Sequence, residues 1–221
     1  MNTLSQTKVS AQSDFTMKVM NYVAVAFAVT AAGAYFAPAI LPASFLAGGG
    51  YWIIFIAELA LIFTSGWWSQ MAPPVNYFLF GLFAFLSGLT LYPLLMLALS
   101  VGGSEMIFKA LTATVALSFA AGTYAKTTQR DLSGMGGFLM MGLIGLIVVG
   151  VLQIFWFNSM VELISSGIGV ILFSAFIAYD IQMIEKYPHD RAIEASIGLY
   201  LSIFNLFVSL LRFLIAMKSS D

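Results

Sequence analysis

Long apolar runs recur along this chain, parted each time by only a few residues, and that repetition leaves few folds open. A helix crosses the roughly 30 Å hydrocarbon core of a bilayer with about 20 apolar residues. Runs of that order lie near 19–41, 49–67, 75–98, 104–125, 134–156, 160–184 and 192–217. The separators Pro42 to Gly48, Gln70 to Pro74, Ser100 to Gly103, Lys126 to Ser133, Phe157 to Ser159 and Glu185 to Arg191 carry the Gly, Pro and charged residues that end helices. Lipid offers no partner to an open backbone N–H or C=O, so continuous apolar runs become helices. A barrel would need short alternating strands instead. The pattern predicts an all-α membrane protein with seven transmembrane helices. The first run outlasts the apolar region of a signal peptide and reads as a retained helix. No linker divides the chain, so residues 17–221 are expected to form a single domain, behind a disordered cytoplasmic tail over residues 1–16.

Composition narrows the function classes. Of the 221 residues, 61% are hydrophobic and 9% charged, against about 25% charged in soluble domains. Nine Lys and Arg stand against ten Asp and Glu, so no basic field draws nucleic acid. There is no Cys, which removes disulfides, thiolate metal sites and Cys nucleophiles. His189 is the only histidine and lies in a polar loop, so neither a zinc site nor an intramembrane Ser–His pair can be assembled. The last run has no Lys before Lys218 to carry a retinal Schiff base, and only one Asp lies deep enough for aspartyl proteolysis. No phosphate-binding glycine loop occurs. An enzyme is not expected, nor a bound cofactor.

Basic residues set the orientation. With the N-terminus in the cytoplasm, Lys8, Lys18, Lys126, Arg130, Lys186 and Arg191 fall on the cytoplasmic side; Lys109, Arg212 and Lys218 fall across the membrane or within spans.

Ionisable side chains deep in a span cost at least about 2.5–3.5 kcal/mol on insertion scales, so each asks for a reason. Glu58 stands mid-run in the second span, and at helical spacing it shares a stripe with Tyr51, Ser65 and Ser69. In the seventh span Gly198, Ser202, Asn205, Ser209 and Arg212 share one face. Glu58 and Arg212 are expected to pair between spans two and seven, as a structural tie or as a latch that opens. Asp180, about a turn from the end of span six, has two readings. One is an end-of-helix carboxylate paired with Lys186 or Arg191. The other is a functional acid on an ion or proton path. Lys109 and Glu162 stand near span ends, where they can reach headgroups. Gly142, Gly145 and Gln153 on span five, and Thr114, Ser118 and Gly122 on span four, make small-residue faces for close packing. Pro93 should kink span three beside Thr90 and Tyr92.

Four segments carry a family resemblance. Leu86-Ser87-Gly88-Leu89-Thr90-Leu91-Tyr92-Pro93, Tyr124-Ala125-Lys126-Thr127-Thr128-Gln129-Arg130-Asp131-Leu132-Ser133-Gly134 and Ala178-Tyr179-Asp180-Ile181-Gln182 resemble motifs of the Bax inhibitor-1, or transmembrane Bax inhibitor motif, family. Leu199-Tyr200-Leu201-Ser202-Ile203-Phe204-Asn205-Leu206-Phe207 through Leu211-Arg212 is similar to its last span. The resemblance covers about residues 50–215 in order, and it points to the bacterial branch.

What the resemblance implies is a bundle with the last helix at its centre, in the bacterial inner membrane. Family members are described as pH-sensitive calcium leaks, and bacterial relatives include a modulator of a membrane-anchored AAA protease. Eukaryotic relatives suppress cell death. In the leak scheme two aspartates near the cytoplasmic mouth share a proton. Asp180 matches one, while Ser202 stands at the other, and Ser69 stands where the family has a supporting Arg. Glu58 and Arg212 match the family's second acid–base pair. Without a second carboxylate, coupled proton release is lost and fewer oxygens face a Ca²⁺ ion, which takes six to eight.

The expected function is therefore a pH-sensitive calcium leak. Asp180 is its gate and possible Ca²⁺ ligand, Ser202 and Asn205 line the path, and Glu58 with Arg212 forms the interhelical latch. The rival is a non-conducting protein that binds and modulates a membrane protease complex, through the N-terminal tail. The bilayer and a permeant cation are the other expected partners.

Overall fold

Each of the seven expected apolar runs corresponds to helix in the computed structural model, which describes residues 3–42 and 49–219. The helices are α1 (Thr3–Ile40), α2 (Gly50–Phe63), the one-turn α3 (Ser65–Trp68), a 53-residue stretch Val75–Thr127 in two parts, α6 (Gly136–Phe155), α7 (Ser159–Ile184) and α8 (Ala192–Ser219). Among the described residues there is no strand. The stretch Val75–Thr127 would run about 80 Å as one helix, more than twice the hydrocarbon core. Gly103 divides it, at φ 67° and ψ −174°, a backbone conformation essentially reserved for glycine. The parts are α4 (75–102) and α5 (104–127).

Among the described residues five helical stretches are long and apolar enough to cross a membrane, Val75–Thr127 counting as one. Helix α2, at 14 residues, is shorter than a span. It stops at Thr64, whose hydroxyl donates back to the Ala60 carbonyl at 2.6 Å, and α3 resumes after it. The run expected over 49–67 is thus two helices. The Trp68 indole N–H donates to the Leu61 carbonyl at 2.8 Å across the break.

Helix α1 begins at Thr3. Its sequence explains this, since neither Gly nor Pro interrupts residues 3–32. Most of the loop expected from Pro42 to Gly48 lies outside the described residues. The chain resolves into two compact units. Unit 1 is Met1–Pro93 with Ile184–Tyr200, and unit 2 is Leu94–Met183 with Leu201–Asp221. The divisions fall inside helices rather than at linkers, so composition gives no sign of them.

Unit 1 is knitted by a close crossing of α1 and α4. A Cβ on Gly88 would collide with the Thr30 carbonyl, and one on Gly33 with the Phe85 carbonyl. Only glycine lets the two backbones approach so nearly. Tyr200, fully buried, is ringed by Phe27, Phe80 and Phe83, and its hydroxyl lies 2.7 Å from the Thr30 hydroxyl. His189, exposed in its polar loop, stacks on Phe15 at 5.1 Å and bonds the Gln12 side chain at 3.1 Å.

Unit 2 joins α5 to α6 through a short 3₁₀ turn, Leu132–Met135, capped by Asp131 accepting from the Ser133 N–H at 3.0 Å. Of the small-residue faces read from the sequence, Gly122 lies against Ile181 and Gly142 against Leu172, whereas a Cβ on Gly145 would meet nothing within 4 Å. Large apolar side chains such as Phe108, Phe119, Phe138 and Ile171 are exposed. For a chain built of apolar spans, that is the surface lipid covers.

Candidate functional site

Asp180 stands on α7 in unit 2, one turn before the helix ends at Ile184. Facing it from α8 is Ser202, 5% exposed, whose hydroxyl donates to Asp180 Oδ2 at 2.5 Å. Among the described residues no Lys, Arg or His pairs with Asp180, and Oδ1 has no hydrogen-bond partner. Arg191, one of the two cations expected beside Asp180, has Glu194 at 3.5 Å. Asn205, one turn along α8 from Ser202, donates its side-chain N–H to the Leu201 carbonyl at 2.9 Å.

The loop before α6 is fastened to the same stretch of α7. Gln182 accepts from the Leu132 N–H at 2.6 Å and donates to the Arg130 carbonyl at 3.0 Å. Gly136 lets the Tyr179 ring close in, since a Cβ there would meet its hydroxyl at 2.8 Å. Two of the motif segments noted in the sequence thus meet in space: one side chain, two residues beyond Asp180, satisfies two backbone groups of the turn. Asp180 is held on a stiffened helix end.

Glu58 and Arg212, expected to pair, each have partners within their own unit. Arg212 pairs with Glu162, Nε to Oε1 at 2.9 Å. Glu162 sits in the first turn of α7, which Asn158 caps by accepting from the Met160 and Val161 N–H groups at 2.9 and 3.1 Å. With its side chain 14% exposed, Glu162 is an interhelical partner rather than a headgroup contact. In unit 1, Glu58 is engaged by α4. Oε1 accepts from the Ser87 hydroxyl at 2.6 Å and Oε2 from the Thr90 hydroxyl at 2.8 Å. Tyr51, on the stripe expected for Glu58, donates to the Thr90 carbonyl at 3.3 Å. The polar seam of the second span was therefore legible, but its partner was not. Ser87 and Thr90 stand three apart on α4 and so present two hydroxyls to one carboxylate. That spacing was the available signal.

Sequence comparison bears on the whole chain. The family profile described as "Inhibitor of apoptosis-promoting Bax1" matches residues 12–220. An uncharacterised protein of Campylobacter jejuni is 34% identical over 215 residues, covering 96% of this chain and 93% of its own length. An uncharacterised protein of Helicobacter pylori is 37% identical over 161 residues, 73% of this chain and 70% of that one. An uncharacterised membrane protein of Streptococcus pyogenes is 30% identical over 165 residues, 71% of this chain and 70% of that one. With apolar helices throughout and a family match over nearly its full length, this chain is a multi-pass membrane protein of the Bax inhibitor family.

Proposed function

We propose that the protein is a pH-sensitive cation leak of the bacterial inner membrane, with calcium as the permeant ion and Asp180 as its gating carboxylate. The observation that carries this reading is the half-engaged state of Asp180. A carboxylate inside an apolar helix is costly unless something neutralises it. Ser202 fills one oxygen and no cationic side chain among the described residues fills the other. A proton or a passing metal ion suits that vacancy. Glu162, by contrast, is neutralised by Arg212 and has no such use.

The donor set also fits passage better than storage. Among the described residues no three His, Cys, Asp or Glu side chains gather as a metal site. An ion at Asp180 would meet one carboxylate, the Ser202 hydroxyl and water. Ca²⁺ held by so few protein oxygens leaves readily, which conduction requires.

The test is calcium uptake into proteoliposomes at stepped pH. Asp180→Asn should flatten the pH dependence, because an amide cannot titrate. An unchanged pH profile in that variant would remove Asp180 from the gate. Absence of flux in the wild type, with a protease co-purifying, would favour the non-conducting regulatory reading instead.

A further inference from the structure

At one end of unit 1 lies a polar cavity of about 480 Å³, apart from Asp180 and from Glu58. It is lined by Lys18 and Tyr22 of α1, the connection Ser69–Pro73, Asn76 and Tyr77 of α4, and the residues leading into α8. Three features mark it as built for a ligand. Ser69 and Asn76 are 4% and 8% exposed, yet Ser69 Oγ and Asn76 Oδ1 have no hydrogen-bond partner among the described residues. Orphaned buried polar atoms are costly and call for something to satisfy them. Two cations, Lys18 and Arg191, lie on the lining. Arg191 has Glu194 at 3.5 Å but keeps 43% of its side chain exposed, and Asp190 is the one carboxylate on the wall. Finally, the first turns of α4 and α8 both contribute to the lining, through Asn76 and Ile193. Helix N-termini present unused N–H groups and positive dipole ends, which favour anions. The Tyr22 and Tyr77 hydroxyls, bonded to each other at 3.0 Å, add a polar rim.

We propose that this cavity binds a phosphate group that also carries a hydroxyl donor. Lys18, Arg191 and the helix N-termini take the anionic oxygens, Ser69 donates to one of them, and Asn76 Oδ1 accepts from the ligand's hydroxyl. Hydrogen phosphate and a phosphatidylglycerol headgroup share this chemistry. A metal cation does not fit a wall with two cations and one carboxylate.

The full-length protein, delipidated in a neutral detergent, provides the test by its thermal unfolding midpoint. One arm adds sodium phosphate against sodium chloride at matched ionic strength, and the other adds phosphatidylglycerol against phosphatidylcholine. A binder of the folded state raises the midpoint with concentration. A rise with phosphate supports a soluble ligand; a rise with phosphatidylglycerol alone supports a lipid headgroup. Lys18→Gln with Arg191→Gln should raise the half-saturating concentration about tenfold or more, since charge-assisted bonds carry the affinity. Ser69→Ala should weaken binding without lowering the ligand-free midpoint, because it removes an atom with no partner in the fold. No rise in either arm for the wild type overturns the proposal, as does a rise that the substitutions leave unaltered. The wild-type arms decide even if the double variant does not fold.

Discussion

Glu58 and Asp180 are both acids on apolar helices, and both are met by hydroxyls rather than by cations, but the two are finished to different degrees. Ser87 and Thr90 occupy both oxygens of Glu58. Ser202 occupies one oxygen of Asp180. A carboxylate with both oxygens engaged ties two helices together; one with an oxygen to spare can exchange a proton or an ion. The same functional group, a carboxylate, thus serves as a fastener in unit 1 and as a candidate gate in unit 2. Glu162 completes the series, since it takes an arginine and is held as a charge.

The fastener can be broken from behind. Gly88 stands next to Ser87 on α4, where a side chain would strike the α1 backbone at Thr30. Gly88→Val should cost more than about 3 kcal/mol, because backbone cannot yield as a side chain can. Loss of the folded, monodisperse protein on a size-exclusion column would register it. A well-folded Gly88→Val protein would mean that α1 and α4 are not held this closely.

Removing the counter-charge at the third acid should matter less. Arg212 is 46% exposed, so screening discounts its pair with Glu162, and Arg212→Gln should cost about 1 kcal/mol. Glu162→Gln in the same chain should recover most of the loss, as seen in thermal unfolding. Glu58→Gln in an Arg212→Gln background should recover nothing. Recovery by Glu58→Gln would reinstate the latch between the second and seventh spans.

Ser202→Ala sharpens the other side of the comparison. It deletes the one hydrogen bond that Asp180 accepts among the described residues, worth about 1 kcal/mol in stability. Its larger signature is functional: the pH midpoint of the calcium leak should move while Asp180 still titrates. An unmoved midpoint would show that the serine does not tune the acid.

How far the sequence foretold these sites follows from what each depends on. Helices in lipid are dictated locally, by run length and by backbone satisfaction, so all seven runs are helical. The turn at Gly103 was equally local, since glycine permits the conformation found there. The pairing of acids is a tertiary choice. Arg212 had Glu58 and Glu162 within the same apolar chain, and periodicity alone placed Arg212 and Glu58 on polar faces without saying which faces meet. The Ser87 and Thr90 hydroxyls were hidden for a different reason: in membrane helices such groups usually bond their own backbone, as Thr112 and Thr123 do here and as Ser87 and Thr90 also do, to the Phe83 and Ser87 carbonyls at 3.1 Å. Asp180 and Ser202 were named together through the family motifs, and the two side chains share a hydrogen bond between α7 and α8.

The most direct measurement is an infrared difference titration of the protein in liposomes, with Asp180→Asn to assign the carboxyl band. If Asp180 is the gate, a protonated-carboxyl band absent from Asp180→Asn should change over the same pH interval as the calcium leak, with the same midpoint. A band that stays constant while the leak changes, or that titrates at a different pH, would contradict gating by this residue.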